Sequence, residues 1–339
     1  TQDPKIICWS ENLFKNISRG KQSRFDSKNI RTCLYRPFTK TNLYYTKDFN
    51  DRCGRMSSIF PDCKSENKII CVTGIGSKEF SVLMTDILPD VQLMFNGQNF
   101  PLKIYNINQG ENNLGTLNLF DNNQDTSGLD KNILSSLNDY PYLKIKSDLE
   151  IFNYIYGILH SSTYREKYKN NLLKSLPRIP FVKSEDIFNQ FSFAGKELGN
   201  LHVNYEKVEK YPCKLNDQLN GQISLLSYTE NPSKFYRVNK MKFSRKGKNS
   251  VIYNKNIVIN DIPEKAYNYR VNGKSALEWV MERQSIVKDK KTGIINDPND
   301  FANEICNRPQ YPLELFQRVI TVSLKTLEII DCLPEFEID

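Results

Sequence analysis

The sequence is poor in the residues that usually carry chemistry. Histidine occurs only at His160 and His202 in 339 residues; neither sits in a paired Asp or Cys motif, so both are expected to be structural. The 8 cysteines (Cys8, Cys33, Cys53, Cys63, Cys71, Cys213, Cys306 and Cys332) include no CxxC pair. Zinc needs four ligands at short paired spacings, which this pattern does not supply. No secretion signal opens the chain, which argues for free structural thiols in a reducing compartment rather than a disulfide frame. No long uncharged apolar run is present to span a membrane. Walker, HExxH and GxSxG motifs are also missing. Gly74 and Gly76 in GIGSKE lack both the third glycine of a dinucleotide fingerprint and the Gly-Lys-Ser/Thr end of a P-loop, so they read as a turn between strands. Asp121, Asp125 and Asp130 near Lys131 have the residue types of a nuclease but lie in a polar, Asn-rich stretch, so they read as coincidence.

What is present is enough to fold. Hydrophobic residues make up 39% and aromatic residues 12% of the chain, so a substantial core is expected in one large or two moderate domains. A chain that begins at Thr1 is expected to be an excised fragment, with the cytoplasm as its default location. The net charge is +8, and its placement matters more than its size. Lys234, Arg237, Lys240, Lys242, Arg245, Lys246 and Lys248 follow one another with no acidic residue between them. Such a run reads either as a solvated lysine-rich face or, because Phe235, Tyr236 and Phe243 interleave with it, as strands presenting cations to a phosphate backbone.

The elements predict an α+β fold of two strand-rich lobes, joined and flanked by helices. Residues 1–110 carry short apolar runs at Lys5–Trp9, Thr32–Arg36, Leu43–Tyr45, Lys68–Thr73 and Phe80–Thr85. Several are continuous rather than alternating, which predicts strands covered on both faces. Residues 111–145 are a polar linker with a short helix, within a polar stretch that begins near Asn106. Residues 146–210 are helical. There Leu149, Phe152, Ile155, Tyr156 and Leu159 bury one face of a helix, and Ser161 or Ser162 caps a second whose outer face is basic, with Arg165, Lys167, Lys169 and Lys174. Pro177 and Pro180 end this helical hairpin, and Ser184 caps a third helix. Residues 211–295 hold further strands at Ile223–Tyr228, Phe235–Val238, Met241–Phe243, Val251–Tyr253 and Ile257–Ile259, then a helix anchored by Trp279. In residues 296–339, Asp297-Pro298 starts one helix, and a long apolar helix follows from Pro312.

Several phrases resemble the C-terminal specificity domain of the single-polypeptide Type ISP restriction–modification enzymes, similar sequences of which are often labelled DEAD/DEAH-box helicases. They are YIYGILHSSTYREKY followed by LPRIPF, then LYRPF, VTGIGSKEFSVLMTDILPD, NGQNFPLKIY and YRVNGKSALEWVMERQ. The resemblance implies a target-recognition domain that reads double-stranded DNA for an N6-adenine methyltransferase, a motor and a nuclease located upstream. AdoMet, ATP and Mg would serve those upstream domains, and no cofactor is expected in this fragment. Asn231-Pro232-Ser233-Lys234 lacks the second proline and the aromatic stacker of a methyltransferase tetrad. No catalytic residue is therefore assigned.

Charge clustering nominates Lys240, Lys242, Arg245, Lys246 and Lys248 as phosphate contacts, with Arg165 and Lys169 as a second group. Arg36, before Pro37 at a strand end, reads either as a ligand contact or as an ordinary salt bridge. The alternative is a scaffold in which the apolar C-terminal helix braces the upstream motor and methyltransferase. A third reading is an enzyme with an unrecognised site.

Overall fold

The computed structural model describes residues 10–51, 53–105, 126–129, 140–216, 231–245, 247–290 and 292–336. The strands expected at Lys5–Trp9 and Ile223–Tyr228, most of the polar linker, the Asp121–Lys131 group and Lys246 lie outside the described residues.

Helix α1 (Glu11–Ser18) starts where the Ser10 hydroxyl accepts from the Leu13 N–H. Strands β1 (Ile30–Arg36) and β2 (Thr39–Tyr44) form an antiparallel hairpin around Pro37-Phe38. Phe38 takes a left-handed φ of 57°, uncommon for a bulky residue. Its ring is held in the core, 5.4 Å from the Tyr205 ring centroid and 6.4 Å from that of Tyr269. After a short helix α2 (Met56–Ile59), β3 (Ile69–Val72) lies between β4 (Val82–Thr85) and a later strand, while β5 (Leu88–Pro89) pairs parallel to β1. β6 (Gln98–Pro101) completes the β3 sheet, and β7 (Lys103–Ile104) pairs with β8 (Thr126–Ser127).

The helical region follows. A reciprocal capping box between Ser147 and Glu150 starts α3 (Asp148–Ile158). Ser161 caps α4 (Ser162–Lys167), which runs into the short α5 (Lys169–Leu172). Ser184 caps α6 (Glu185–Val203). The principal partner of α3 is α6, rather than the arm that follows it in sequence. Two glycines explain the close approach. A Cβ on Gly195 would stand 1.9 Å from the Asn153 carbonyl oxygen, and one on Gly157 would stand 2.3 Å from that of Phe191. α3 is therefore buried almost all round, although Leu149 in its first turn is 43% exposed rather than on a buried face.

The remaining strands β9 (Lys214–Asn216), β10 (Lys242–Ser244), β11 (Gly247–Ile252) and β12 (Val258–Asn260) form an antiparallel sheet ordered β10-β11-β12-β9. Ahead of β10, the strand expected at Phe235–Val238 is instead a helical turn, α7 (Pro232–Tyr236). Asn231 Oδ1 accepts from the Lys234 N–H at 3.0 Å, and Pro232 occupies the first turn, where its missing N–H costs nothing. The hairpin of β13 (Arg270–Val271) and β14 (Lys274–Ser275) leads through a second capping box into α8 (Ala276–Arg283). β15 (Val287–Lys288) and β16 (Ile295–Asn296) form a small hairpin. α9 (Pro298–Asp300) begins at the Asp297 cap, and α10 (Tyr311–Asp331) is the long C-terminal helix.

The fold is thus α+β, with sheets from residues 30–104 and 214–296 and helices between and after them. Its core is split in two by the β4-β3-β6 sheet. Ile69, Cys71 and Leu83 point into one cluster, together with Phe38, Val251, Trp279 and Phe316. Ile70, Val72, Val82 and Met84 point into the other, against Phe152, Phe188, Phe191 and Leu198. This is the period-2 alternation of a strand with apolar cover on both sides. Most of the apolar side of α10 belongs to the first cluster, and Phe336 beyond it reaches the second, 5.1 Å from the Phe191 ring centroid.

Polar links cross this boundary. The Tyr156 hydroxyl lies 2.6 Å from His202 Nδ1, and His202 Nε2 lies 2.9 Å from Thr326 Oγ1, joining α3, α6 and α10. Both histidines are buried, with His160 Nδ1 at 2.8 Å from the Tyr156 carbonyl oxygen. Seven of the 8 cysteines are described, and all are free.

Two outcomes are expected. Gly195→Ala forces backbone against backbone and lowers the unfolding free energy by roughly 1–3 kcal/mol or more, measured by urea denaturation. Burial holds His202 down to about 3 from an ordinary value of 6.5, and holds His160 well below the usual imidazole range. The unfolded chain therefore takes up protons near pH 6.5 that the native chain refuses. Stability is complete above that pH and falls as pH drops below it, by about 1.4 kcal/mol per pH unit for each histidine. Urea midpoints between about pH 6.5 and 5 are expected to show this slope, and His202→Gln to reduce it by about half.

Candidate nucleic-acid interface

The cationic segment is held by its backbone. Asn299, buried at the start of α9, accepts from the Val238 N–H and donates to the Val238 carbonyl, both at 2.9 Å. The Met241 N–H donates to Ser285 Oγ at 3.0 Å, and the Ile286 N–H to the Asn239 carbonyl at 2.9 Å. Val238 and Met241 are buried, so Asn239 and Lys240 between them are turned outward. Arg237 ion-pairs with Asp297.

The exposed charges continue onto the β10–β11 hairpin. Lys242 pairs with Ile252 and is exposed, while Phe243 turns inward toward Tyr267, with ring centroids 5.7 Å apart. The register then slips between Phe243 and Ser244, and the turn is closed with Gly247 at a φ of 116°. Across that slip Lys248 Nζ stands 6.0 Å from the Phe243 ring centroid and 5.6 Å from that of Tyr267. Its stem covers aromatic surface while its charge stays exposed. Among the described residues, no carboxylate forms an ion pair with Lys240, Lys242 or Arg245, and all three are exposed.

Ser285 and Asp297, which hold Met241 and Arg237, also line a cleft of about 390 Å³ together with Tyr35, Lys40, Gln284, Val287 and Asn296, among others. It is framed by β2, by the C-terminal end of α8 and by the β15–β16 hairpin. Arg36, next to the lining residue Tyr35, donates to the Tyr35 carbonyl at 2.5 Å and makes two further contacts. Its guanidinium lies 4.1 Å from the Tyr35 ring centroid and donates to Asp90 Oδ1 at 2.6 Å. Lys40 pairs with Glu206 at 2.6 Å.

The second cation group is not one surface. Arg165 does not face outward: its Nε donates to the Leu159 carbonyl at 2.6 Å, and its guanidinium lies 5.6 Å from the Phe80 ring centroid. The last carbonyls of α3 lack helical partners, and Arg165, six positions on, turns back to satisfy one. Burial lowers its pKa from the usual arginine value. Lys169 is exposed at the start of α5, which packs through Leu172 on the other core.

Sequence reasoning assigned no role to Tyr35, Gln284, Val287 and Asn296: Tyr35 and Gln284 lie within the phrases LYRPF and YRVNGKSALEWVMERQ, whereas Val287 and Asn296 belong to no motif. The nearest signal was the charged turn at Lys288–Gly293, which is the tip of the β15–β16 hairpin. Among the described residues, no group of His, Cys, Asp or Glu is placed to hold a metal ion. No described helix is long and apolar enough to cross a membrane.

Comparison with known proteins accords with this architecture. The family model for the Type ISP C-terminal specificity domain matches residues 1–315. Among solved structures, the ATP-dependent Type ISP restriction-modification enzyme LlaBIII bound to DNA is 37% identical, with a TM-score of 0.82 over 98% of this chain and 20% of that one. A nuclease-deletion mutant of the Type ISP enzyme LlaGI, in complex with a DNA substrate mimic, is 34% identical, with a TM-score of 0.78 over 100% of this chain and 23% of that one. The DrdV–DNA complex is 27% identical, with a TM-score of 0.77 over 97% of this chain and 31% of that one. This chain thus spans about a fifth to a third of the length of the chains it resembles. No curated protein matches it. The chain belongs to the Type ISP C-terminal specificity domain family.

Proposed function

We propose that this domain recognises a double-stranded DNA target for catalytic domains joined to it in the same polypeptide. The observation that carries the reading is the row of exposed cations at Lys240, Lys242, Arg245 and Lys248, on a backbone pinned by Asn299 and Ser285. Lysine and arginine contacts to phosphates set register and orientation, while contacts to base edges supply sequence preference. Lys246 lies in the same turn, outside the described residues, and joins the proposal by position alone. Lys169 is retained as a phosphate contact, and Arg36 as a flanking one. Arg165 is given a structural role.

The parent enzyme would carry the methyltransferase and the motor upstream, with AdoMet, ATP and Mg bound there, and would act in the cytoplasm. Its solved relatives were determined with DNA or a DNA mimic. The scaffold reading rested on an apolar C-terminal helix free to brace those domains. Leu315, Phe316, Val319, Ile320 and Val322 of α10 are instead taken up by the domain's own core.

The test is duplex binding across salt concentrations. Each phosphate contact contributes about −0.9 to the slope of log affinity against log salt. Replacing Lys240, Lys242, Arg245 and Lys248 with Gln is expected to flatten that slope by roughly 3–4, with the thermal unfolding midpoint unchanged. Unaltered affinity in a folded variant would count decisively for a scaffold.

A further inference from the structure

The cleft beside the cations has features that phosphate contact does not explain. Gln284 lines the cleft and is 4% exposed, and its buried Oε1 has no hydrogen-bond partner. A buried acceptor left unpaired is unfavourable by itself, and a rotation of the Gln284 amide toward the cleft would let it pair with a group bound there. The same cleft is lined by a ribbon of two short strands, β15 and β16. Its register pairs Val287 with Asn296 and Lys288 with Ile295. Directly opposed residues share a face of a ribbon, so Val287 and Asn296 together present an apolar side chain beside an amide. Both line the cleft, and Val287 is 47% exposed.

Taking the DNA reading as its basis, we infer that this cleft is where the domain reads bases, with Asn296 and Gln284 hydrogen-bonding adenine edges and Val287 against a thymine methyl. A two-stranded ribbon fits the major groove of B-form DNA, about 12 Å wide. Asn and Gln amides match the N6 donor and N7 acceptor of adenine, and apolar side chains match the thymine methyl. An exposed lysine stands on one flank, and on the other an arginine already paired with Asp90. Lys240 sits on the segment hydrogen-bonded to Ile286, and Arg36 stacks on Tyr35. Phosphates held at those flanks would place a groove, rather than a strand backbone, over Gln284 and Asn296.

The test is selection by the 339-residue chain from duplexes with a randomised central stretch, followed by titration of the selected duplex. The wild-type chain is expected to enrich a motif containing adenine. Asn296→Ala, on an exposed strand, is expected to lose preference at one position and to bind the selected duplex roughly 10- to 100-fold more weakly. Its affinity for scrambled duplex and its salt slope should not change. Asn296→Asp should move that position toward cytosine, whose N4 is a donor, and Gln284→Leu should relax a neighbouring position. If Gln284→Leu fails to fold, Asn296→Ala decides. Folded Asn296 variants that enrich the parental motif undiminished would overturn the inference and leave DNA binding standing. A wild-type chain that binds duplex with a steep salt slope but enriches no motif would do the same. Absence of salt-dependent duplex binding would remove the underlying functional reading as well.

Discussion

The structure depends on a sheet with no solvent face at its centre. β3 and β4 alternate their side chains into two hydrophobic clusters, so neither core is complete without the same short strands. Burying each Ile, Leu, Val or Met is worth roughly 1.5–3 kcal/mol, and these strands place such residues on both sides. The first cluster also draws Val238, Val251, Trp279 and Phe316 from the second half of the chain. The cationic hairpin is therefore built on a core begun some 200 residues earlier in the sequence.

That shared core allows a polar surface to be exact in position without being rigid in its side chains. Asn299 and Ser285 grip Val238 and Met241 through their main-chain atoms; Arg237 adds an ion pair to Asp297, while the side chains of Lys240 and Lys242 take no part. The His202 contacts to Tyr156 and Thr326 join three helices behind this surface. They work because burial keeps the imidazole neutral. The chemistry in this domain thus divides into buried neutral polar groups that hold the frame and exposed cations that face outward.

Much of the frame was legible from local rules. The Ser161 and Ser184 caps, the long apolar period of α10 and the continuous runs at β3 and β4 each rest on near-neighbour physics. The charged hairpin was legible as well, because cations without intervening acids show in the sequence. Part of what escaped needed a partner distant in the chain, and part was a local competition between two readings. Gly157 and Gly195 signal helix contact only once α3 and α6 face one another. Arg165 turns inward because of an unsatisfied carbonyl at the end of the preceding helix. Asn231-Pro232 outweighed the strand-like Phe235–Val238 by capping a helical turn. The cleft was illegible because its lining is gathered from β2, the end of α8 and the β15–β16 hairpin.

The way Arg237–Met241 is fastened has an evolutionary consequence. Since the attachment runs through main-chain atoms of Val238, Asn239 and Met241, the side chain at position 240 contributes no hydrogen bond to the attachment. Mutation there, and at neighbouring outward positions, meets little selection for stability. Such a segment is free to diversify among descendants while the domain beneath it is inherited intact.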